Sequence, residues 1–185
     1  MNDEIAEESV LEVADRLFYA QGIRTVGMDQ IRDASGVSLK RLYRLFPTKN
    51  ELAEVVLRRR EDTFLRSLAD AEAAAKGPRE AILGFFDDLY EWFTEPDYRG
   101  CPFLNAFAEM RSTSQPITDV AVHQKRALER HFDELVRAAG GPPALAGQLL
   151  ILANGAMATS AMLGSPEPAW HAKAAAATLL DVAEI

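Results

Sequence analysis

Lys40, Arg41 and Arg44 are the residues of this sequence best placed to do chemistry. They lie in the stretch from Met28 to Lys49, MDQIRDASGVSLKRLYRLFPTK, which reads as two short helices joined by a tight turn at Ser35-Gly36-Val37. At about 100° per residue, Leu39, Leu42, Tyr43 and Phe46 share one side of the second helix, and the three cations share the other. A short helix gripped from behind by a core and presenting cations forward fits the major groove of DNA. There an arginine pairs both N–H groups with guanine O6 and N7, worth ~1–3 kcal/mol of discrimination. The helix before it would brace it across the backbone. Three charges on a lone helix would read more readily as a solvated face, and the turn-linked pair is what favours DNA. Tyr43 sits at the edge of the apolar face. It either packs its ring only or also aims its hydroxyl at a phosphate. Arg58, Arg59 and Arg60 lie some three turns further on and read as solvated.

The elements that must hold this helix are all helical. The chain has 185 residues, 48% of them apolar, rich in alanine, leucine, glutamate and arginine, with no alternating β-branched run bounded by turns. The first helix spans about Asp3 to Gln21, with Val10, Val13, Ala14, Leu17 and Phe18 on one stripe and Gly22 past its end. Pro47 ends the cationic helix, and Thr48 with Glu51 forms a capping box for a long helix to about Ala75. Further helices are expected at about Arg79–Thr94, Cys101–Ser112, Gln115–Ala139, Ala144–Leu163 and Ala169–Glu184, separated by breaks such as Gly140-Gly141-Pro142-Pro143. The expected architecture is all-α with nine helices.

The net charge is −8, which looks wrong for a DNA binder until it is mapped. Residues 38–60 carry seven basic and two acidic side chains, whereas residues 61–185 carry ten basic and eighteen acidic. A basic patch on an acidic body favours binding in one orientation. A single cysteine, Cys101, excludes an internal disulfide and suits a reducing, cytoplasmic setting. The acidic opening MNDEIAEES argues against a secretory leader. The 20-residue run ALAGQLLILANGAMATSAML has the length of a membrane span. Gln148, Asn154, Thr159 and Ser160 interrupt it, and no close aromatic or basic flank accompanies it, so a helix buried against protein is the expected reading.

These residues resemble the tetracycline-repressor (TetR) family of transcription regulators. The likeness is densest over Val10 to Leu57, in LEVADRLFYAQGI and in MDQIRDASGVSLKRLYRLFPTKNEL. It implies a homodimer, with residues 1–60 as a three-helix DNA-binding domain containing the helix-turn-helix, and residues 61–185 as an effector-binding and dimerisation domain. Ser38, Lys40, Arg41, Tyr43 and Arg44 match the family's DNA-contacting positions, and Lys49 matches its phosphate-binding lysine. Gly27, Met28, Leu39 and Thr48 complete the expected DNA-facing set. Two positions depart from the family pattern. Gly27 stands where a Ser or Thr usually caps the first motif helix. Lys40-Arg41 stands where Gly-Thr is common, adding two cations. The segment RGCPFLNAFAE is similar to a subgroup of these regulators. The resemblance further implies release from an operator by a small effector, hence a repressor.

Eight of the fifteen aromatic residues fall between Phe85 and Met110. Phe86, Tyr90, Phe103, Phe107 and Met110 are therefore candidates to line an apolar ligand pocket, with Asn105 and His123 as polar partners, and core packing is the alternative for each. Small residues crowd the last two helices. Leu145, Leu149, Leu152, Ala153 and Ala156, with Ala172 and Ala176, are expected at a four-helix dimer interface, against the alternative of an intrachain core. No cofactor is implied. His123 and His131 lack a third ligand for a metal. Two rival readings remain. One is a small helical enzyme using Cys101 with His123, and the other a helical ligand-binding protein that has lost DNA.

Overall fold

The structure, a computed structural model, describes residues 2–185. Among the described residues there are nine helices and no strand: α1 (Asp3–Gln21), α2 (Met28–Ser35), α3 (Leu39–Leu45), α4 (Lys49–Ala74), α5 (Pro78–Phe93), α6 (Pro102–Met110), α7 (Gln115–Ala138), α8 (Ala144–Leu163) and α9 (Glu167–Val182). They form two compact units. The first comprises residues up to Asp62 with Pro102–His123, and the second Thr63–Cys101 with Gln124–Ile185. The first unit is thus not one continuous stretch, because α6 and the opening turns of α7 belong to it.

In the first unit, the Asn2 side chain caps α1 by accepting from Ile5 N at 2.8 Å. Ala6, Val10, Leu11, Ala14 and Phe18 supply the buried stripe of α1. Gly22 ends it at φ +87°, with its N–H on Phe18 O. Gly36 takes the left-handed conformation that turns the chain from α2 toward α3. The arginine run of α4 is spent on ion pairs. Arg58 meets Glu54, Arg59 meets Glu8, and Arg60 meets Asp15 while lying 4.6 Å from the centre of the Tyr19 ring. Two of these three contacts tie α4 to α1.

In the second unit, Phe86 and Phe132 are fully buried, and Phe85 stands edge-to-face to both at 5.5 and 5.1 Å. Helix α9 packs on α5 and α8. Ala169, Ala172 and Ala176 on α9, and Ala153 and Ala156 on α8, are buried. Small side chains of this kind allow close helix approach. Helix α8 is long and apolar enough to cross a membrane by length and composition. Leu145, Leu149, Ala153 and Met157 bury one side of it, whereas Ile151, Met162 and Leu163 stay exposed.

His131 on α7 is held below the ordinary histidine value of 6.5 by burial, against the opposing charges of Glu72, 3.6 Å away, and Glu134. The folded state therefore favours neutral imidazole, and the unfolded chain takes up a proton first as pH falls through 6.5. The stability contributed by the neutral ring is lost over that descent. His131→Gln is expected to flatten the fall in melting temperature between about pH 7 and pH 5 relative to the parent, as read by thermal melts at several pH values.

Candidate nucleic-acid interface

Helix α3 is anchored through a narrower apolar face than its sequence suggests. Leu42 and Phe46 are buried, but Leu39 is 38% exposed and Tyr43 46% exposed. The burial centres on Leu42 and Phe46. Tyr43 lies about 100° round the helix from Leu42, on its flank. The expectation that all four share the core side is corrected on this point. Leu39, Lys40, Tyr43 and Arg44 are all exposed, and Arg41 is partly covered. The exposed side therefore offers an aliphatic chain, a phenol and cations side by side. Those groups can meet thymine methyls, phosphates and guanine edges respectively.

The start of α3 is set by Ser38, whose hydroxyl accepts from Arg41 N at 3.4 Å. At Gly27 no side chain caps α2, and open space surrounds the position. Met28 follows it, half-buried, as the first residue of α2. Thr48 accepts from Glu51 N and donates to the Glu51 carboxylate, both at 3.1 Å, forming the expected cap of α4. Lys49 does more than face outward. Its ammonium donates to Arg24 O at 3.1 Å and Val26 O at 2.9 Å. It thereby holds the loop ahead of α2 and uses two of its three donors. Burial pushes its pKa down, Glu109 pulls it back up, and Arg24 adds to the lowering.

Glu109 on α6 completes this loop support. Its carboxylate accepts from Arg24 N at 3.0 Å. A Cβ at Gly22 would come within 2.9 Å of Glu109 Oε1, so glycine leaves the room this contact needs. Nothing in the sequence marks the pair, which is 85 positions apart. Asp3 is a second residue beyond sequence reasoning. Its Oδ1 lies 3.0 Å from Arg41 Nη2 and 2.5 Å from Arg44 Nη2. Lys40 enters no ion pair among the described residues.

The effector candidates are distributed over both units. Phe86 and Tyr90 belong to the second, where Phe86 is core and Tyr90 stacks on Trp170 at 4.4 Å. Phe103, Asn105, Phe107, Met110 and His123 belong to the first. Phe103 and Met110 are buried there, whereas Asn105, Phe107 and His123 are exposed. His123 Nδ1 lies 2.7 Å from Oε1 of the buried Glu61. An open cavity of about 740 Å³ in the second unit is lined by Arg79, Leu83, Asp87 and Lys173 among others, and by none of these candidates. Cys101 is buried, with Lys125 Nζ 3.3 Å from its sulfur. Among the described residues no group of three or more His, Cys, Asp or Glu is arranged to hold a metal.

The residues expected at a dimer interface lie mostly inside the second unit. Leu145, Leu149, Ala153, Ala156, Ala172 and Ala176 are buried there, and Leu152 is half-buried. The outward side of α8 carries Ile151, Gly155, Ala158 and Met162 instead, at helical spacing, and α9 exposes Trp170 and Val182.

Comparison with known proteins agrees with this geometry. The profile for bacterial regulatory proteins of the tetR family matches residues 10–56, and that for the tetracyclin repressor-like C-terminal domain matches residues 78–176. The HTH-type transcriptional regulator LmrA of Bacillus subtilis is 28% identical over 137 residues, 73% of this chain and 73% of LmrA. The HTH-type transcriptional activator FasR of Mycolicibacterium smegmatis is 29% identical over 140 residues, 69% of this chain and 63% of FasR. The crystal structure of the TetR regulator SAV143 from Streptomyces avermitilis superposes with a TM-score of 0.85 at 30% identity, covering 97% of this chain and 98% of that one. The chain belongs to the TetR family. It is a transcriptional regulator with a helix-turn-helix for DNA, and not an enzyme.

Proposed function

We propose that this regulator works in the cytoplasm as a homodimer. Each α3 enters the major groove of a double-stranded operator, and a small apolar effector releases the protein, which makes it a repressor. The observation that carries the reading is the exposed row Leu39, Lys40, Tyr43 and Arg44 on a helix anchored by Leu42 and Phe46. Pairing through α8 and α9 is supported by the exposed Ile151, Met162, Trp170 and Val182. A two-fold pair presents two groove helices to two half-sites about one helical repeat apart, or a multiple of it. The effector reading rests on the match of residues 78–176 to the tetracyclin repressor-like C-terminal domain. An effector acts only if its affinity differs between the DNA-competent state and the other.

Titration with DNA flanking the gene tests the core of the reading. Arg44→Ala and Lys40→Ala are each expected to lower affinity for the best site by about 5- to 150-fold, the equivalent of ~1–3 kcal/mol, with Arg44→Ala also relaxing sequence choice. Lys49→Ala should weaken all sequences alike, because it loosens the loop that seats α2 as well as any phosphate contact. Unchanged affinity in both Lys40→Ala and Arg44→Ala would reject α3 as the reading helix.

A further inference from the structure

We propose that Asp3 is a specificity determinant of DNA binding, an internal anion that withholds Arg41 and Arg44 from nonspecific phosphate. The inference rests on α3 being the groove helix. One carboxylate oxygen of Asp3 receives both guanidinium groups, at 3.0 Å from Arg41 and 2.5 Å from Arg44. The two arginines stand three positions apart on α3, so their tips converge on the same side and repel unless an anion lies between them. An oxygen shared by two guanidiniums is also how a DNA phosphate is held, so Asp3 occupies the place a phosphate oxygen would take.

Asp3 is not on a loose tail. It is the first residue of α1, whose opening turn is capped by Asn2. Further along, α1 is fastened to α4 by Glu8 with Arg59 and by Asp15 with Arg60. An acidic residue in the first turn also suits the helix dipole, and that bland role would leave DNA binding untouched. The ion pairs to Arg41 and Arg44, 38 and 41 positions away, are what go beyond it.

The consequence for specificity is a matter of relative strength. An exposed ion pair is weak, and a lone phosphate contact gives an arginine little more than it already has with Asp3. A bidentate contact to guanine O6 and N7 gives considerably more. Asp3 therefore cancels much of what Arg41 and Arg44 would add on random sequence, and is displaced where the bases reward displacement.

The test uses the full chain and a random-sequence 30-base-pair duplex, so no operator need be known. Binding of the parent, Asp3→Asn and Glu4→Gln is measured across a salt series. Glu4→Gln removes the same charge one residue away. Asp3→Asn is expected to bind the random duplex about three- to tenfold more tightly at ~0.1 M salt, with a salt slope steeper by up to about two. Glu4→Gln should stay within about twofold of the parent with its slope unchanged. Matching helical circular dichroism confirms that all three are folded. If Asp3→Asn and Glu4→Gln give the same affinities and slopes while the parent binds, the role of Asp3 is overturned and α3 still stands as the reader. If the parent binds no duplex even at low salt, the groove-helix reading fails and takes this proposal with it.

Discussion

Ile151→Glu is expected to give a folded monomer that has lost most of its operator affinity. Ile151 is 71% exposed in the single chain, so a carboxylate there costs the isolated fold little. It opens the outward row of α8, with Gly155 one turn on and Met162 beyond, 79% exposed. In the proposed dimer that row meets its own copy, and two-fold symmetry would place two carboxylates, one from each chain, in an apolar contact. Such charges must be desolvated without partners, which favours separation. Once the chains part, each half-site is bound alone. The gain from linking two binding events, on the order of 10²–10⁴ in affinity, then disappears. Sedimentation at micromolar concentration reads the first effect and operator titration the second. An Ile151→Glu protein that sediments as the parent does would move the interface off α8.

Leu149→Glu, two residues away, should behave differently. Leu149 is fully buried inside the second unit, so its replacement places an unpaired carboxylate in the core and unfolds the chain. The two substitutions use the same chemistry on opposite faces of one helix. Their contrast separates an interface residue from a core residue without any knowledge of the operator.

That contrast also shows what the sequence could and could not disclose. Helix bounds were legible because Gly22, Gly36, Pro47, Gly140 to Pro143 and Gly164 mark the breaks, and the observed α8 runs from Ala144 to Leu163 as its flanks imply. The all-helical class followed from composition and period. The face of α8 did not follow, because a helix without a charged residue gives no contrast between inside and outside. The small residues that suggested an interface fill the chain's own core instead, and the outward row is marked only by its exposure. On α3 the opposite held: three cations and the apolar residues behind them oriented the helix, and only the width of the apolar face was overdrawn, since Leu39 and Tyr43 are exposed. The contacts made by Asp3, Glu61 and Glu109 join residues tens of positions apart, and no local period encodes them. Likewise no linear boundary anticipates that residues 102–123 fold into the first unit.

Leu42→Ala carries the second large effect, and it acts on the site from behind. Leu42 is fully buried, and α3 is only seven residues long. A helix so short gains little from its own hydrogen bonds, so its position depends on the side chains that anchor it. Leu42 is the buried residue of α3 itself, and Phe46, just past the end of the helix, is 4% exposed. Truncation to alanine removes the buried isobutyl group and leaves a void, at a cost of about 2–5 kcal/mol. For a chain of this size that corresponds to a drop of roughly 5–15 °C in melting temperature. DNA affinity should fall further than the loss of folded protein explains, because the exposed row of Leu39, Lys40, Tyr43 and Arg44 is aimed by the anchor it has lost. The measurement is operator titration at a temperature where circular dichroism shows the variant fully folded. Parent-like affinity under those conditions would mean that Phe46 and the Ser38 cap suffice to aim the helix, and that Leu42 contributes stability alone.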